Sequence, residues 1–541
     1  MQLSTLYKDD TKVKTFLLPV SGPVVLAGAE IDVIASPEFQ RLAGIRQLGT
    51  SNVVFRGALH TRFEHSIGSL HQAERMLASI EKNPVAPLPI DDAARRLARL
   101  GSLLHDLPHV PFGHTLEDEF HLLKRHNENA GRIRALLENG SIGTILTQAL
   151  GADEYADLLS ALHAKSDEEF AALRYPFVGD IIGNTVCADL LDYVPRDLTA
   201  CGMPVVPINH CLDYLTISPE RANGDLDSRR IALRLDKGGM PRPDVESGVI
   251  QLLSQRYELA ERVYFHHAKN AASVMIARAV QDAGFAIGEN TPEELDENFR
   301  RLSDDTLLLA LSDPRVSIAL DLKHAARTGH QLRLSAELAL GVLQRRLYKV
   351  AYLAVYDDLA LRVSSICNDY GSDPIARRAI EDEFADKAGV ARGQVLVHVP
   401  RPKMMQKNAD VRVLTDHGDV LKLEEWDRIH SHRIEALNAA HERLWRLTVF
   451  AHPDVSEAAR AILRVAAADC FGAPTRYVEP PIPGVALRLA IFDQEAAKRG
   501  WTANDRQVIA NPAETAALSM AASYNEVVEE IAAIVKISAE T

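Results

Sequence analysis

The chain has 541 residues, of which 47% are hydrophobic and 25% charged, and its formal net charge is -14 at pH 7. Such acidity argues against a nucleic-acid backbone as the main partner, because that binding rests on clustered lysine and arginine. The five cysteines form no CxxC pair, which argues against a zinc ribbon or a disulfide framework. We see no secretory signal and no apolar run of about 18 residues, so we expect a cytoplasmic protein that does not enter a membrane.

Residues 1–35 read as short strands and turns, with the apolar runs KTFLLPV and VVLAGAEIDVI on either side of SGP. The pattern becomes helical at Ser36, which is a candidate N-cap followed by Pro37 at the first helical position. Apolar residues then recur at helical spacing from Phe39 to Leu48. We therefore expect an N-terminal β segment that packs on a helical core.

Helical periodicity continues to about residue 365 and returns after about 430. Between these stretches, QVLVHVPRP and DVRVLTDHGDVLKL alternate apolar and polar residues around an HG turn, which predicts a small β element around 394–425. The fold class is therefore mainly α. The predicted regions are the N-terminal β segment, a helical core at 36–365, a small α/β region at 366–430 and a C-terminal helical region at 431–541.

Eight of the 20 histidines lie between positions 60 and 126. The dipeptide His105-Asp106 ends an apolar helix, because Leu-Pro follows it at once. Neighbouring helical residues diverge by about 100°, so both side chains can reach one ion only near a helix end. Imidazole nitrogen with carboxylate oxygen suits divalent Mn, Fe, Ni or Zn. The dipeptide alone is weak support for a metal site, since it also occurs by chance.

Two further helical segments carry polar residues on one face. In RFEHSIGSL, Arg62 and His65 lie one turn apart, as they also would on an ordinary surface helix. In ADLLDYVPRD, five polar residues form a stripe on an otherwise apolar helix: Asp189, Asp192, Tyr193, Arg196 and Asp197. This stripe is either functional or a solvated face with an Asp192–Arg196 pair. Pro195 would weaken or kink the helix, which a solvated face does not require.

Together these segments, in chain order, form the H…HD…D signature of the HD superfamily of phosphohydrolases. Their flanking residues resemble the deoxynucleoside triphosphate (dNTP) triphosphohydrolases, which include SAM-and-HD-domain and bacterial dGTPase-like enzymes. The similar phrases are FQRLAGIRQLG (39–49), GALHTRFEHSIG (57–68), HDLPHVPFGH (105–114) and DLLDYVPRD (189–197). The resemblance covers about residues 15–430, and nothing after about 450 takes part. It implies a helical HD-domain core that hydrolyses dNTPs to deoxynucleoside and triphosphate.

The resemblance implies a divalent metal ion, whether Mn, Fe, Ni, Zn or Mg, bound by His65, His105, Asp106 and Asp189. Such an ion lowers the pKa of a bound water toward about 7 and polarises a phosphoryl oxygen. Two histidines and two carboxylates leave coordination positions open, as a catalytic site requires.

A second set of histidines corresponds to the family residues that surround the phosphate and transfer protons, namely His109, His114 and His126. Imidazole suits that role because its pKa of about 6.5 allows it to donate or accept near neutrality. For His109 and His114 the alternative is capping and loop hydrogen bonding. Asn127 stands where the family usually has glutamate, so the partner that orients His126 stays open.

The resemblance also implies substrate contacts by seven residues: Gln47, Leu48, Arg62, Tyr193, Asp197, Arg256 and Tyr264. Arg62 would neutralise a phosphate oxygen. Gln47 and Asp197 would contact the 3′-hydroxyl of the deoxyribose, and a tyrosine packed under the sugar would exclude a 2′-hydroxyl. The segment that holds Arg256 and Tyr264, YELAERVYFHHAKN, also fits a plain amphipathic helix.

Three further positions depart from the family pattern. Leu190 stands where the human-type enzyme has a phosphate-binding lysine, so polyphosphate binding can differ. Ala35 and Ala43 stand where that enzyme reads an activating guanine nucleotide, so we expect that site to be absent or altered. The family commonly forms homo-oligomers, which we expect here without the nucleotide-gated tetramer.

Two other functions stay open. One is an HD phosphatase or phosphodiesterase on another nucleotide or phosphate ester, which Leu190 favours. The other is a non-catalytic nucleotide-sensing protein, and the complete set of expected ligands and histidines argues against it.

Overall fold

The structure is a computed structural model. The residues it describes are 6–7, 12–83, 90–207, 209–222, 225–237, 240–401, 411–415, 417–477, 484–510 and 524–540. Parts of all four predicted regions therefore lie outside the described residues. They are 1–5 and 8–11 of the N-terminal segment, 84–89, 208, 223–224 and 238–239 of the helical core, 402–410 and 416 of the small α/β region, and 478–483, 511–523 and 541 of the C-terminal region.

The N-terminal segment contains the predicted β element, an antiparallel hairpin of Val13–Leu18 and Gly22–Ala27. The expectation of strands and turns is wrong at Ala29–Ala35, which is an α-helix. Glu30 explains the difference, because its buried carboxylate accepts hydrogen bonds from the Ala27 backbone at 2.9 Å and from Arg99 at 2.7 Å. The chain thus turns into the core instead of extending the hairpin.

Ser36 caps the next helix as predicted. Its hydroxyl accepts a hydrogen bond from the Phe39 backbone at 3.3 Å, at the start of the short helix Pro37–Gln40. The helical spacing beyond it corresponds to two 3-10 turns, Arg41–Gly44 and Gly49–Val53, rather than to one α-helix.

Three helices at the centre of the molecule bring the distant motifs together: Arg62–Lys82, Asp92–Leu104 and Ala188–Ala200. Thr61 and Glu64 form a capping box at the start of the first, and Asp91 caps the second. The first and third approach closely at Gly68, where a Cβ atom would lie 1.9 Å from Oδ1 of Asp192. Only glycine allows this contact.

Shorter helices surround these three. They are Ala130–Ile133, Ser141–Leu150, Ala152–His163, Asp167–Ala171, Pro176–Gly183 and Asn209–Leu212, with π-helical turns at His114–Glu119 and Arg134–Glu138. A second group of helices packs around His267–Asp282. Its members and neighbours are Pro243–Leu259, Glu293–Arg301, Asp304–Ser312, Pro314–Ala319 and Gly329–Leu343, with a π-helical turn at Ala260–Tyr264.

The predicted strand pair around the HG turn is present as Arg412–Leu414 and Val420–Lys422, which pair antiparallel. It extends a four-stranded sheet whose other members are Leu215–Ile217 and Ile231–Leu233. A separate antiparallel pair consists of two short strands of two residues each, Asp236–Lys237 and Met240–Pro241. The strands between 215 and 241 are additions to the predicted elements.

A three-stranded sheet lies in the C-terminal half, with Arg446–Ala451 between Lys349–Val355 and Val395–His398. The helical expectation is therefore wrong at Lys349–Val355 in the predicted core and, after 430, at Arg446–Ala451. Five of its six residues are buried, so the apolar-polar alternation that marks a half-exposed strand is missing.

Helices make up most of the remaining C-terminal half. They are Tyr356–Leu359, Val363–Ile366, Pro374–Ala388, Leu423–His430, Arg433–Glu442, Glu457–Phe471, Gly484–Arg499, Ala503–Ile509 and Tyr524–Glu540, with a π-helical turn at Cys367–Gly371. The fold is mainly α, which confirms the predicted class. In the described part of the chain, no helix has the length and apolar character needed to span a membrane. The predicted domain boundaries stay a prediction.

Candidate active site

The four expected metal ligands come from the three central helices and meet at one point. His65 lies in the first turn of Arg62–Lys82, His105 is the C-cap of Asp92–Leu104, and Asp189 lies in the first turn of Ala188–Ala200. The Nε2 atom of His65 is 3.2 Å from Oδ1 of Asp189 and 3.5 Å from Oδ2 of Asp106. The Nε2 atom of His105 is 3.7 Å from Asp189 and 3.5 Å from Asp106.

The two histidines are oriented as metal ligands. His65 Nδ1 is 2.9 Å from Oδ2 of Asp192, and His105 Nδ1 is 2.8 Å from the Ser102 carbonyl oxygen. Each Nδ1–H donates there, so each Nε2 keeps its lone pair. Both Nε2 atoms are buried and lie 3.2–3.7 Å from carboxylate oxygens of Asp106 and Asp189. Two such nitrogens beside two carboxylates fit a borderline divalent cation.

The charges around this point favour a cation. Burial by itself lowers the pKa of His65, but hydrogen bonds to Asp189 and Asp192 and the charge of Asp106 raise it to about 10. Burial raises the pKa of Asp106, yet the charges of Arg62 and His105 and a hydrogen bond from His109 hold it well below its ordinary value. The ionised carboxylates therefore attract a proton to His65 in the metal-free protein, and a divalent ion competes for the same lone pair.

The solvated-face interpretation of the stripe on Ala188–Ala200 is wrong. Asp192 is fully buried, and Arg196 binds it through two hydrogen bonds of 2.8 Å. Asp197 is also buried and accepts hydrogen bonds from Tyr264 at 3.0 Å and from His60, whose Nε2 lies at 2.8 Å. The helix continues through Pro195. The polar stripe therefore faces the interior of the molecule.

The second set of histidines lies beside the same carboxylate, Asp106. His109 Nε2 is 3.3 Å from Oδ1 of Asp106, and the His109 ring stacks on His126 with 3.6 Å between ring centroids. The rings of His109 and His114 are 5.2 Å apart. Burial and the positive charges of Arg62 and His126 hold the pKa of His109 well below its ordinary value. His109 is thus a neutral base in the metal-free protein.

Two acids that the sequence analysis did not select hold these histidines. Glu117 is buried, and its Oε2 is 3.2 Å from His126 Nδ1 and 3.1 Å from the His126 backbone nitrogen. Asp118 Oδ2 is 2.8 Å from Nδ1 of His114. Glu117 is therefore the orienting partner that Asn127 left open. The acidic run after His114 in HTLEDEF was the available signal, with Asp118 at i+4.

One cavity of about 600 Å³ connects these residues, a size typical of small-ligand sites. Every predicted site residue except His65 lines it, and His65 lies directly behind Asp189. Cations that the sequence analysis did not select also line it, namely Arg46, Arg125, Lys165, Lys269 and Arg401. Leu190 is fully buried and supplies no charge. The cavity wall of this acidic chain therefore carries both cations and carboxylates.

Sequence models of two families match the chain in the regions that build this cavity. The HD domain matches residues 62–195, and the HD associated region matches residues 245–476. The first contains all four expected ligands. A solved structure of a hypothetical protein from Aquifex aeolicus shares the fold, with a TM-score of 0.57 and 21% identity over 84% of this chain and 100% of that one. The chain is an HD-domain protein.

Curated proteins with similar sequences indicate which kind of HD-domain protein the chain resembles. An uncharacterized protein of Methanocaldococcus jannaschii is 26% identical over 79% of this chain and 77% of its own length. Deoxynucleoside triphosphate triphosphohydrolase SAMHD1 of Homo sapiens is 28% identical over 48% of this chain, and the SAMHD1 homolog of Dictyostelium discoideum is 27% identical over 51%. The matches span about half the length of these two relatives. These matches support a dNTPase-like HD-domain family for the chain and indicate a metal-dependent HD phosphohydrolase.

Proposed function

We propose that the protein hydrolyses dNTPs to deoxynucleoside and inorganic triphosphate. One observation carries this proposal. Asp106 lies between a metal-ligand set and a proton-transfer set of histidines, and the cavity around it also contains the predicted sugar contacts and several cations. The named SAMHD1 relatives support the same substrate class.

His65, His105, Asp106 and Asp189 are the residues that would hold the divalent ion, whether Mn, Fe, Ni, Zn or Mg. When bound there, such an ion polarises a phosphoryl oxygen and makes water a better nucleophile at neutral pH. Arg62 forms a buried ion pair with Asp106 and also lines the cavity, so its guanidinium both orients this ligand and offers positive charge to a phosphate.

The histidine set handles protons. His109, neutral and buried beside Asp106, is suited to accept a proton from the attacking water. His114 is 40% exposed at its side chain, and Asp118 holds its Nδ1–H, which leaves Nε2 for contact with the substrate. When His114 carries protons on both ring nitrogens, its Nε2–H can be donated to the leaving 5′-oxygen while Asp118 keeps the Nδ1–H. Glu117 keeps His126 stacked on His109.

The sugar end of the cavity accounts for a deoxyribose preference. Tyr264 donates to Asp197, which holds both rigidly, and the Tyr193 ring lies close to His65, 6.5 Å between centroids. Close packing of a sugar on these rings would exclude a 2′-hydroxyl. Gln47 Oε1 is buried without a hydrogen-bond partner among the described residues, as expected for a group that meets a substrate hydroxyl.

Product analysis tests the proposal. The purified protein is incubated with each dNTP and Mn, Mg, Fe, Ni or Zn, and the products are separated by chromatography. Deoxynucleoside with triphosphate is the expected result. Orthophosphate or a monophosphate would instead establish the phosphatase or phosphodiesterase function, which the buried Leu190 favours. No turnover with any metal would contradict an enzymatic role. We also propose a homo-oligomeric, cytoplasmic protein, to be checked by light scattering and cell fractionation.

A further inference from the structure

The cavity has a polar recess that the proposed mechanism does not use. Its residues are Thr50, Ser51, Thr115, Glu119 and Lys269, and all of them line the cavity. They come from three elements, the 3-10 turn Gly49–Val53, the π-helical turn His114–Glu119 and the helix His267–Asp282. Hydroxyl contacts join these elements, because Ser273 Oγ is 3.0 Å from Thr50 Oγ1 and 3.1 Å from Thr115 Oγ1. The recess is therefore rigidly built.

A buried ion pair lies in this recess. Lys269 binds Oε1 of Glu119, and the two side chains are only 7% and 1% exposed. The other carboxylate oxygen of Glu119, Oε2, is buried and has no hydrogen-bond partner among the described residues, and the same holds for Ser51 Oγ. Buried polar atoms are nearly always hydrogen-bonded in proteins. Two unsatisfied acceptors in the wall of a cavity therefore point to a ligand that satisfies them.

His398 is an electrostatic neighbour of Lys269, and it adds no charge to the ion pair. His398 is fully buried, and burial together with the positive charges of Lys269 and Arg377 lowers its pKa to about 3. Its imidazole is consequently neutral. The recess thus offers a ligand one ammonium group next to one carboxylate.

The position of the recess suggests which part of a nucleotide reaches it. Gln47 and Leu48, the proposed sugar contacts, continue directly into Gly49–Val53, which forms one wall of the recess. The triphosphate is held at the other end by the metal ligands and Arg62. When the phosphates of a nucleotide lie at that end and its sugar lies at Gln47, only the position of its base is still unassigned. The recess supplies hydrogen-bonding groups for that base.

We propose that Glu119 and Lys269 select the nucleobase and favour a lactam edge, in which a ring N–H stands beside a carbonyl oxygen. The carboxylate accepts from the ring N–H and the ammonium donates to the carbonyl oxygen. Guanine and thymine present this edge. Adenine and cytosine present an amino group beside an unprotonated ring nitrogen, which is a weaker match for an ammonium than a carbonyl oxygen. The effect of this base selection on hydrolysis rests on the proposed function. The binding of a base in the recess does not depend on that function.

The test compares kcat/KM of the metal-loaded protein for the four dNTPs. We expect dGTP and dTTP to exceed dATP and dCTP, and Glu119→Gln and Lys269→Met each to reduce that ratio roughly tenfold, as the loss of a hydrogen bond to a charged group does. A wild-type protein without this preference, or variants that keep the wild-type ratio, would overturn the proposal. Glu381→Gln is the matched control. It weakens another buried ion pair, with Arg278, and should leave the ratio unchanged.

One further variant and one further measurement allow a decision if a single variant does not fold or if no dNTP is hydrolysed. If a single variant does not fold, the double variant Glu119→Met/Lys269→Met removes both charges together, so neither is left buried and unpaired. Thermal shifts with deoxyguanosine, thymidine, deoxyadenosine and deoxycytidine measure base selection without hydrolysis. If no dNTP is hydrolysed, the proposed function fails, and these shifts alone decide the inference: larger shifts with the lactam nucleosides support it, and equal shifts refute it.

Discussion

The two ends of the cavity differ in how their polar groups are satisfied. At the metal-binding end, protein carboxylates fix the orientation of two imidazoles, as Asp192 holds His65 and Glu117 holds His126. At the recess, Glu119 keeps one carboxylate oxygen without a partner among the described residues. The side chains at the metal-binding end are thus held in place by the protein itself, whereas the free carboxylate oxygen in the recess needs a bound ligand to complete its hydrogen bonding. Mutations at the metal-binding end should stop hydrolysis, and mutations toward the recess should change which nucleotide is hydrolysed.

The largest effect is expected from Asp106→Ala. Asp106 contacts both ligand histidines and pairs with Arg62, so its loss removes a ligand and leaves a buried arginine uncompensated. Activity should fall roughly a thousandfold or more, because the ion contributes several kcal/mol to catalysis. Elemental analysis should find the metal gone. Unchanged metal content would remove Asp106 from the ligand set.

A smaller effect is expected from Asp192→Asn, which keeps the shape of the side chain that orients His65. Loss of such a supporting carboxylate costs about 10–100-fold in metal affinity or activity. Titration of the apoprotein with Mn would measure the change in affinity. Asp157→Asn, on an exposed pair with Arg174, is the control and should bind metal as the wild type does. Equal affinities in both variants would contradict the orienting role.

Glu117→Gln should separate proton transfer from metal binding. Without the carboxylate, His126 loses its charged partner next to His109, and we expect kcat to fall roughly tenfold or more, a part of the 10²–10⁴-fold that acid–base groups contribute. Metal content should not change. The exposed Glu383→Gln, paired with Lys387, should match the wild type in both measurements. A normal kcat would show that Glu117 has no part in the reaction.

The smallest effect is expected from Gln47→Ala at the proposed sugar contact. Loss of one neutral hydrogen bond should raise KM for dNTPs by about tenfold or less, with metal content intact. Steady-state kinetics with one dNTP would measure it. Kinetics identical to the wild type would remove Gln47 from the sugar site.

Local patterns predicted much of this molecule. Helical spacing and the cap at Ser36 reflect interactions within a few residues, so they are readable along the chain. The strand Arg446–Ala451 was missed because burial on both faces removes the period of two on which strand prediction depends. Glu117 was missed for another reason. Its role depends on a π-helical turn that brings it to His126, nine residues away.

By itself, the sequence determined the residue types and their helical faces, including the His105–Asp106 pair at a helix end and the polar stripe that contains Asp189. Only the tertiary structure decided that this stripe is buried, that the four expected ligands from three helices meet, and that Glu119 faces Lys269 across 150 residues. The physical reason is the range of the forces involved. Helical periodicity arises from hydrogen bonds between near neighbours, whereas convergence depends on packing between distant segments, and contacts such as that of Gly68 with Asp192 fix how closely they approach.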